Sequence, residues 1–321
     1  MGKHGPRRGS LQFWPRKKAT KALPRVNWHP LTAQTDKKGL LGFIGYKVGM
    51  KSAYVKNSTN DSMTKNKKIS IPVTIIECPS MKILSIRLYK NNKVVGEVLN
   101  NNIDKELKRK IKFPKEMKTK EALEKAEKEI EFEDIRVIVY SQVKKTDIKK
   151  TPDITEVGIG GSKEEKLAFI KENLAKEFTV NEVFNEGIVD VRGNTKGQGY
   201  QGPVKRFGIE LRGHKEEKGQ RRPGSIGPWH PSRVTFRVPR AGQLGFFSRV
   251  IYNNKIVEAG DISEKEINIK GGFHKYGKVK NNYLILAGSI QGAKKRQLLL
   301  TEPLRPSKKQ LKKNYEFIEL R

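Results

Sequence analysis

The sequence predicts a mainly β protein that carries an α/β insertion, and three observations support this. Runs rich in β-branched and aromatic residues recur at short spacings toward both ends of the 321-residue chain, as strands do. Helical composition is concentrated between them. No repeat of fixed period interrupts the pattern. Strand-rich ends with helices in between suggest a β-barrel or curled sheet that receives an α/β unit.

The elements follow in order. Residues 1–38 form a basic N-terminal extension. Its first 35 residues hold no acid, four prolines and three glycines, so no regular helix is expected. Alone it has too little apolar surface to offset its conformational entropy, yet Phe13, Trp14 and Trp28 are costly residues for a tail that touches nothing. Residues 39–102 are expected to begin the barrel, with GLLGFIGYKVGMKSAYV (39–55), KISIPVTIIE, IRLY and KVVGEVL as strands. Residues 103–180 change character: 115–131 and 162–178 have helical composition around the strand IRVIVYSQV (135–143). Ser162 and Glu165 have the spacing of a capping box. Residues 181–300 return to the barrel through GIVDVRG, FFSRVIYN, INIKGGF and NYLILAGSI, and 301–321 form a tail.

The formal charge is +33, from 67 Lys and Arg against 34 Asp and Glu. Self-repulsion of that size opposes compaction and calls for a polyanionic partner, and a pI near 10.1 fits nucleic acid. A membrane surface would need a basic helix with a large apolar face, which the basic segments lack. No window approaches the roughly 18 apolar residues of a membrane span, and the N-terminus lacks the apolar segment of a signal peptide. Cys78 is the single cysteine. One thiol permits neither an internal disulfide nor a paired-cysteine metal site, so a cytosolic protein is expected, with Cys78 as a small buried residue on a strand.

Residues 192–249 are the exception to regular structure. They contain 13 Lys and Arg, three acids (Glu210, Glu216 and Glu217), eleven glycines and five prolines. Fifty-eight residues are too many for a plain loop in a compact domain, so ordering by an outside partner is expected. Phosphates accept from Lys and Arg, glycines allow close backbone approach, and aromatic rings stack on unpaired bases. Gly197 to Gly202 matches G-x-G-x-x-G, but a dinucleotide site needs a helix next. Pro203, Gly208 and Gly213 follow instead, and no helical face is expected there. GIGGSK (158–163) lacks P-loop spacing.

Catalysis finds no support either. His4, His29, His214, His230 and His274 include no pair spaced as zinc ligands and no accompanying carboxylate pair. The acid-free stretch RRPGSIGPWHPSRV (221–234) holds His230 beside Trp229, and the same Trp-His-Pro triplet occurs at residues 28–30. His230 can hydrogen-bond RNA or backbone, or pack on Trp229 or Pro231. Trp229 can contact a base or ribose, or anchor the loop locally.

The stretches GKHGPRRGSLQFWPRKKA, GLLGFIGYKVGM, VRGNTKGQGYQGPVKRFG, RRPGSIGPWHPSRV, RAGQLGFFSRV and LILAGSIQGAKKRQLLL resemble, in that order, the large-subunit ribosomal protein L-three family in its archaeal and eukaryotic form. The likeness covers nearly the whole chain and is weak over 103–180. It implies a translation-protein-type β-barrel with an α/β insertion and long RNA-penetrating extensions. It further implies a structural, non-enzymatic constituent of the cytoplasmic ribosome, without cofactor, metal or small-molecule substrate. Its partners would be large-subunit (23S-type) ribosomal RNA and neighbouring ribosomal proteins. The long loop would extend toward the peptidyl-transferase region with Trp229 at its tip, and HKEEKGQ (214–220) departs from the family pattern.

The RNA contacts expected on this basis fall into four groups. Lys3, His4, Arg7, Arg8, Trp14, Arg16, Lys17, Lys18, Arg25, Trp28 and His29 lie in the N-terminal extension. Lys196, Gln198, Tyr200, Lys205, Arg206 and Arg212 open the long loop. Arg221, Arg222, Ser225, Trp229, His230, Arg233, Arg237, Arg240, Gln243 and Arg249 complete it. Lys294, Lys295 and Arg296 precede the last apolar strand.

Overall fold

A computed structural model describes residues 9–114 and 119–321. The expected contacts Lys3, His4, Arg7 and Arg8, and the first four residues of the 115–131 helix, lie outside the described residues. The chain divides into two compact units. One joins the chain up to Ala22 with Asn194–Arg249; the other joins Leu23–Gly193 with Val250–Arg321.

Along the chain, α1 (His29–Gln34) precedes β1 (Gly39–Leu40), β2 (Gly42–Asn57), β3 (Lys68–Glu77), β4 (Met81–Lys90) and β5 (Lys93–Leu99). Then come α2 (Thr119–Glu129), β6 (Asp134–Ser141), β7 (Ile154–Gly160), α3 (Lys163–Asn173) and α4 (Val180–Val183). They are followed by β8 (Ile188–Asn194), β9 (Gly197–Gln201), α5 (Pro203–Phe207), β10 (Gly242–Gly245) and β11 (Ser248–Gly260). The chain ends with β12 (Tyr283–Ala287), β13 (Gln297–Thr301), α6 (Lys308–Leu311) and β14 (Tyr315–Leu320). The protein is mainly β, as expected.

In the larger unit, seven strands follow the order β13-β8-β11-β12-β3-β2-β14, and β13 also pairs with β2. Six strands therefore return on themselves. β2 makes this possible by its length: Gly42–Tyr46 pairs with β13, while Ala53–Asn57 pairs with β14. Its other edge pairs with β3 from Tyr46 to Lys56, with a register shift between Lys47 and Gly49. Such a shift bends the strand and increases its twist. Phe43, Ile44, Tyr46, Val191, Leu284, Leu286, Leu298 and Leu300 are buried in one core. Val48, Val55, Val73, Ile75, Tyr283 and Ile285 belong to a second.

The second sheet has the order β1-β7-β6-β4-β5. β4 and β5 were expected in the first part of the barrel, before a boundary at residue 103. They pair with the insertion instead, β4 matching β6 from Met81↔Ser141 to Tyr89↔Asp134. The near-continuous apolar run of β6 is buried from Ile135 through Ser141, as befits a strand that lies inside the sheet between β7 and β4. Sequence spacing reveals hairpins but not which sheet a hairpin joins. Cys78 is buried as expected, one residue past the end of β3.

The capping box forms: Glu165 N donates to Ser162 Oγ at 3.3 Å and Ser162 N to Glu165 Oε2 at 2.9 Å. The helix it opens stops at Asn173 rather than 178, because Phe178 bridges to Met81. INIKGGF (267–273) forms no strand. Its surroundings are held by side chains: Glu77, fully buried, accepts from Tyr276 Oη and from Lys280 N, Asn281 N and Asn281 Nδ2 at 2.9, 3.1 and 2.8 Å. Asn268 likewise clasps Val279 through its amide group. The apolar residues Ile267 and Phe273 still reach the second core, which explains the strand-like sequence.

Trp28 requires a correction. It was expected to meet RNA, but it is 1% exposed and its Nε1 donates to the Glu156 carbonyl at 3.1 Å. Gly42 and Gly158 leave the room: a Cβ on them would stand 2.7 and 3.1 Å from the indole. Truncating a buried aromatic costs about 3–5 kcal/mol. Trp28→Ala should therefore lower chemical-denaturation stability by about that amount; a loss below about 1 kcal/mol would show that the indole is not part of the core.

Candidate nucleic-acid interface

The smaller unit is where the basic segments acquire geometry. β9 and β10 pair antiparallel, with Gly242 opposite Gln201 and Gly245 opposite Gly197. Gly245 has φ 72°, and a Cβ there would stand 2.0 Å from the Lys196 carbonyl; only glycine fits. α5 corrects the expectation of no helix after the G-x-G-x-x-G match. Pro203 starts it, a position where proline's missing N–H costs nothing, and Gly208 at φ 61° ends it after a single turn. The glycines Gly197 and Gly199 lie within β9 itself, not between strand and helix. They cannot form the turn that a dinucleotide fingerprint requires.

Residues 9–22 are bound to this hairpin by contacts suited to cations without carboxylates. The Arg16 guanidinium lies 4.5 Å from the centroid of the Phe207 ring and donates to the Ser10 carbonyl at 3.0 Å. Arg249 lies over Phe13 at 4.1 Å and over Phe247 at 5.2 Å. Lys18 stands 5.7 Å from the Phe246 ring, and Trp14 meets Phe236 at 5.4 Å. Ala19 N donates to the Phe246 carbonyl at 2.9 Å, and Asn194 Nδ2 donates to the carbonyls of Lys21 and Ala22.

Arg206 is fixed internally too. Its Nε and Nη1 donate to the carbonyls of Gln243 and Arg240, each at 3.0 Å. Burial pulls the guanidinium pKa of Arg206 and of Arg249 below its ordinary value, a direction set by desolvation of the charged form. Gln243 Nε2 donates to the Leu244 and Gly245 carbonyls. Arg212 pairs with Glu216 at 3.5 Å, and Gln220 bonds His214 at 3.2 Å. These four expected contact residues, Arg16, Arg206, Arg212 and Gln243, are thus engaged within the unit.

Most of the other expected residues described in this unit face outward. Lys17, Lys18, Lys196, Gln198, Lys205, Arg221, Arg222, Ser225, His230, Arg233, Arg237 and Arg240 are exposed. Trp229 is 86% exposed and Tyr200 77%, values that leave whole ring faces for a partner. Ser232 Oγ donates to the Trp229 carbonyl, and the peptide between His230 and Pro231 is cis. In the larger unit Arg25, His29 and Lys295 are exposed, and Arg296 is half-buried. Lys294 Nζ donates to the His274 carbonyl at 2.6 Å. Sequence reasoning missed Phe13, Phe207, Phe236, Phe246 and Phe247 as partners of the cations. The available signal was aromatic residues set beside Lys and Arg in stretches without acids.

Among the described residues no group of three or more His, Cys, Asp or Glu could hold a metal ion. No helix among them is long and apolar enough to cross a membrane. The outward surface offers cations, ring faces and glycine-lined backbone.

A family profile described as ribosomal protein L3 matches residues 1–321. The chain belongs to the ribosomal protein L3 family. Relatives named large ribosomal subunit protein uL3 align with the chain over most of their length. That of Methanobrevibacter smithii is 44% identical over 317 residues, 95% of this chain and 94% of the relative. That of Methanocaldococcus jannaschii is 42% identical over 319 residues, covering 96% and 93%. That of Archaeoglobus fulgidus is 40% identical over 317 residues, covering 96% and 94%. Membership of the L3 family makes the chain a structural protein rather than an enzyme.

The exposure of Trp229 sets a test that contrasts with Trp28. Trp229→Ala should change thermal stability of the isolated protein by less than about 0.5 kcal/mol while impairing subunit maturation. A large loss of stability would place Trp229 in a core.

Proposed function

We propose that the smaller unit, residues 9–22 with 194–249, is the part of this large-subunit constituent that enters ribosomal RNA. The L3 family is a structural constituent of the large ribosomal subunit in the cytoplasmic ribosome, and the remaining question is how this chain performs that role. The observation that supports the reading most is the outward set of Lys and Arg around exposed Trp229 and Tyr200, in a segment with only three acids. Lys and Arg on phosphates release counterions. Ring faces stack on unpaired bases.

In this reading the returning six-stranded sheet is a translation-protein-type barrel with the five-stranded sheet as its insertion. The loop extends toward the peptidyl-transferase region with Trp229 at its tip. Any effect on peptide transfer is then exerted by shaping RNA. Neighbouring ribosomal proteins contact surfaces that the RNA leaves free.

Cross-linking the bound nucleic acid in cells and sequencing it should recover large-subunit ribosomal RNA; recovery of mainly genomic DNA would sink the proposal. In vitro, affinity for a large-subunit RNA fragment should fall linearly on a log–log plot against salt. Replacing Arg221 and Arg222 together by Ala should reduce that slope by about 2. An unchanged slope would show that neither cation reaches phosphate.

A further inference from the structure

We infer that residues 12–20 and 247–249 form a pocket for one unpaired nucleotide, distinct from the loop tip at Trp229; this rests on the proposed RNA-binding role of the smaller unit. The two segments enclose an open cavity of about 370 Å³, within the range of roughly 300–1,000 Å³ typical of small-ligand sites. Its walls include Phe13, Trp14, Lys17, Lys18, Phe247 and Arg249. Phe13 and Trp14 are 49% and 45% exposed, so each ring still offers surface although Arg249 and Phe236 touch them.

The Arg249 guanidinium, spanning Phe13 at 4.1 Å and Phe247 at 5.2 Å, gives the cavity a planar cation fixed in place. Its Nη1 donates to the Ser248 carbonyl at 2.9 Å. Bases stack on aromatic rings and on arginine planes alike. Lys17 and Lys18 are exposed and supply charge for the phosphate on either side of such a base. The pocket is built, not incidental. The Ala19–Phe246 hydrogen bond and the grip of Asn194 on Lys21 and Ala22 hold residues 12–20 against 247–249.

Neither an apolar peptide nor a duplex suits this cavity. An apolar peptide would desolvate the lysines without pairing them, which is costly. A duplex presents no free base face. A base on its own phosphate backbone satisfies rings and cations together. A free mononucleotide has the same chemistry, and the test separates the two sources.

The full chain is titrated with a hairpin RNA carrying one bulged adenosine, with the same hairpin fully paired, and with adenosine 5′-monophosphate. The bulged hairpin should bind about tenfold more tightly than the paired one, the effect of stacking one base. Phe13→Leu, which keeps an apolar side chain but removes the ring face, should abolish that preference; Phe13→Tyr should restore it. A bulged 4-thiouridine should cross-link within residues 12–20. A preference for the bulge that survives Phe13→Leu, or equal affinity of the unaltered chain for both hairpins, overturns the pocket while leaving the proposed function intact. Adenosine monophosphate binding as tightly as the bulged hairpin overturns the RNA-borne assignment. Binding to neither hairpin overturns the proposed function as well.

Discussion

The organising constraint on this molecule is positive charge that has almost no carboxylate to meet. In the unit formed by residues up to Ala22 and 194–249, the acids are Glu210, Glu216 and Glu217 alone. Compaction relies little on ion pairs there, Arg212–Glu216 aside. It relies on guanidinium and ammonium groups laid over Phe13, Phe207, Phe246 and Phe247, and on donors aimed at backbone carbonyls. Both kinds of contact hold a cation without neutralising it, so the field of the unit survives folding. A surface assembled in this way attracts a polyanion from solution and presents ring faces among the charges once it arrives.

The larger unit solves the same problem conventionally. Arg87 reaches Glu97 and Glu156, Arg136 reaches Asp134 and Glu156, and Lys166 reaches Asp134. This network lies on and beside the five-stranded sheet, where most of the acids of the sequence are. Carboxylates are also spent on backbone there: Asp190 accepts from Asn253 N and Leu304 N, as Glu77 does from residues 280–281. The division of acids along the sequence thus becomes a division of labour in the structure. Acid-rich segments close on themselves, and acid-poor segments keep their charge for a partner.

How much of this was legible follows from which interactions are local. β3 and β5 match their expected runs residue for residue, and the capping box at Ser162 forms, because alternation and capping are set within a few residues. The sheet to which β4 and β5 belong was not legible, since pairing with β6 depends on partners about fifty residues away. INIKGGF misled because burial of Ile267 and Phe273 mimics a strand, while its backbone makes turn bonds such as Gly272 N to the Ile269 carbonyl and Phe273 N to the Gly277 carbonyl. At the interface, the density of Lys and Arg and the exposure of Trp229 could be anticipated. The pairing of Arg249 with Phe13 could not, because a separation of 236 positions along the chain carries no signal of it.

The repeated Trp-His-Pro triplet shows the limit of reading chemistry from a motif. At residues 28–30 the proline lies in the first turn of α1 and the indole enters a slot lined by Gly42 and Gly158. At 229–231 the same three residues stand in an acid-free loop, and the indole is 86% exposed. An indole supplies a large apolar face and one donor wherever it occurs. Around Trp28 the glycines and the Glu156 carbonyl accept both. Around Trp229 there is no such slot, so face and donor remain for whatever the surrounding arginines bring to them. The triplet fixes the side chains on offer; the neighbours decide whether the indole turns to the protein's own core or to the surface.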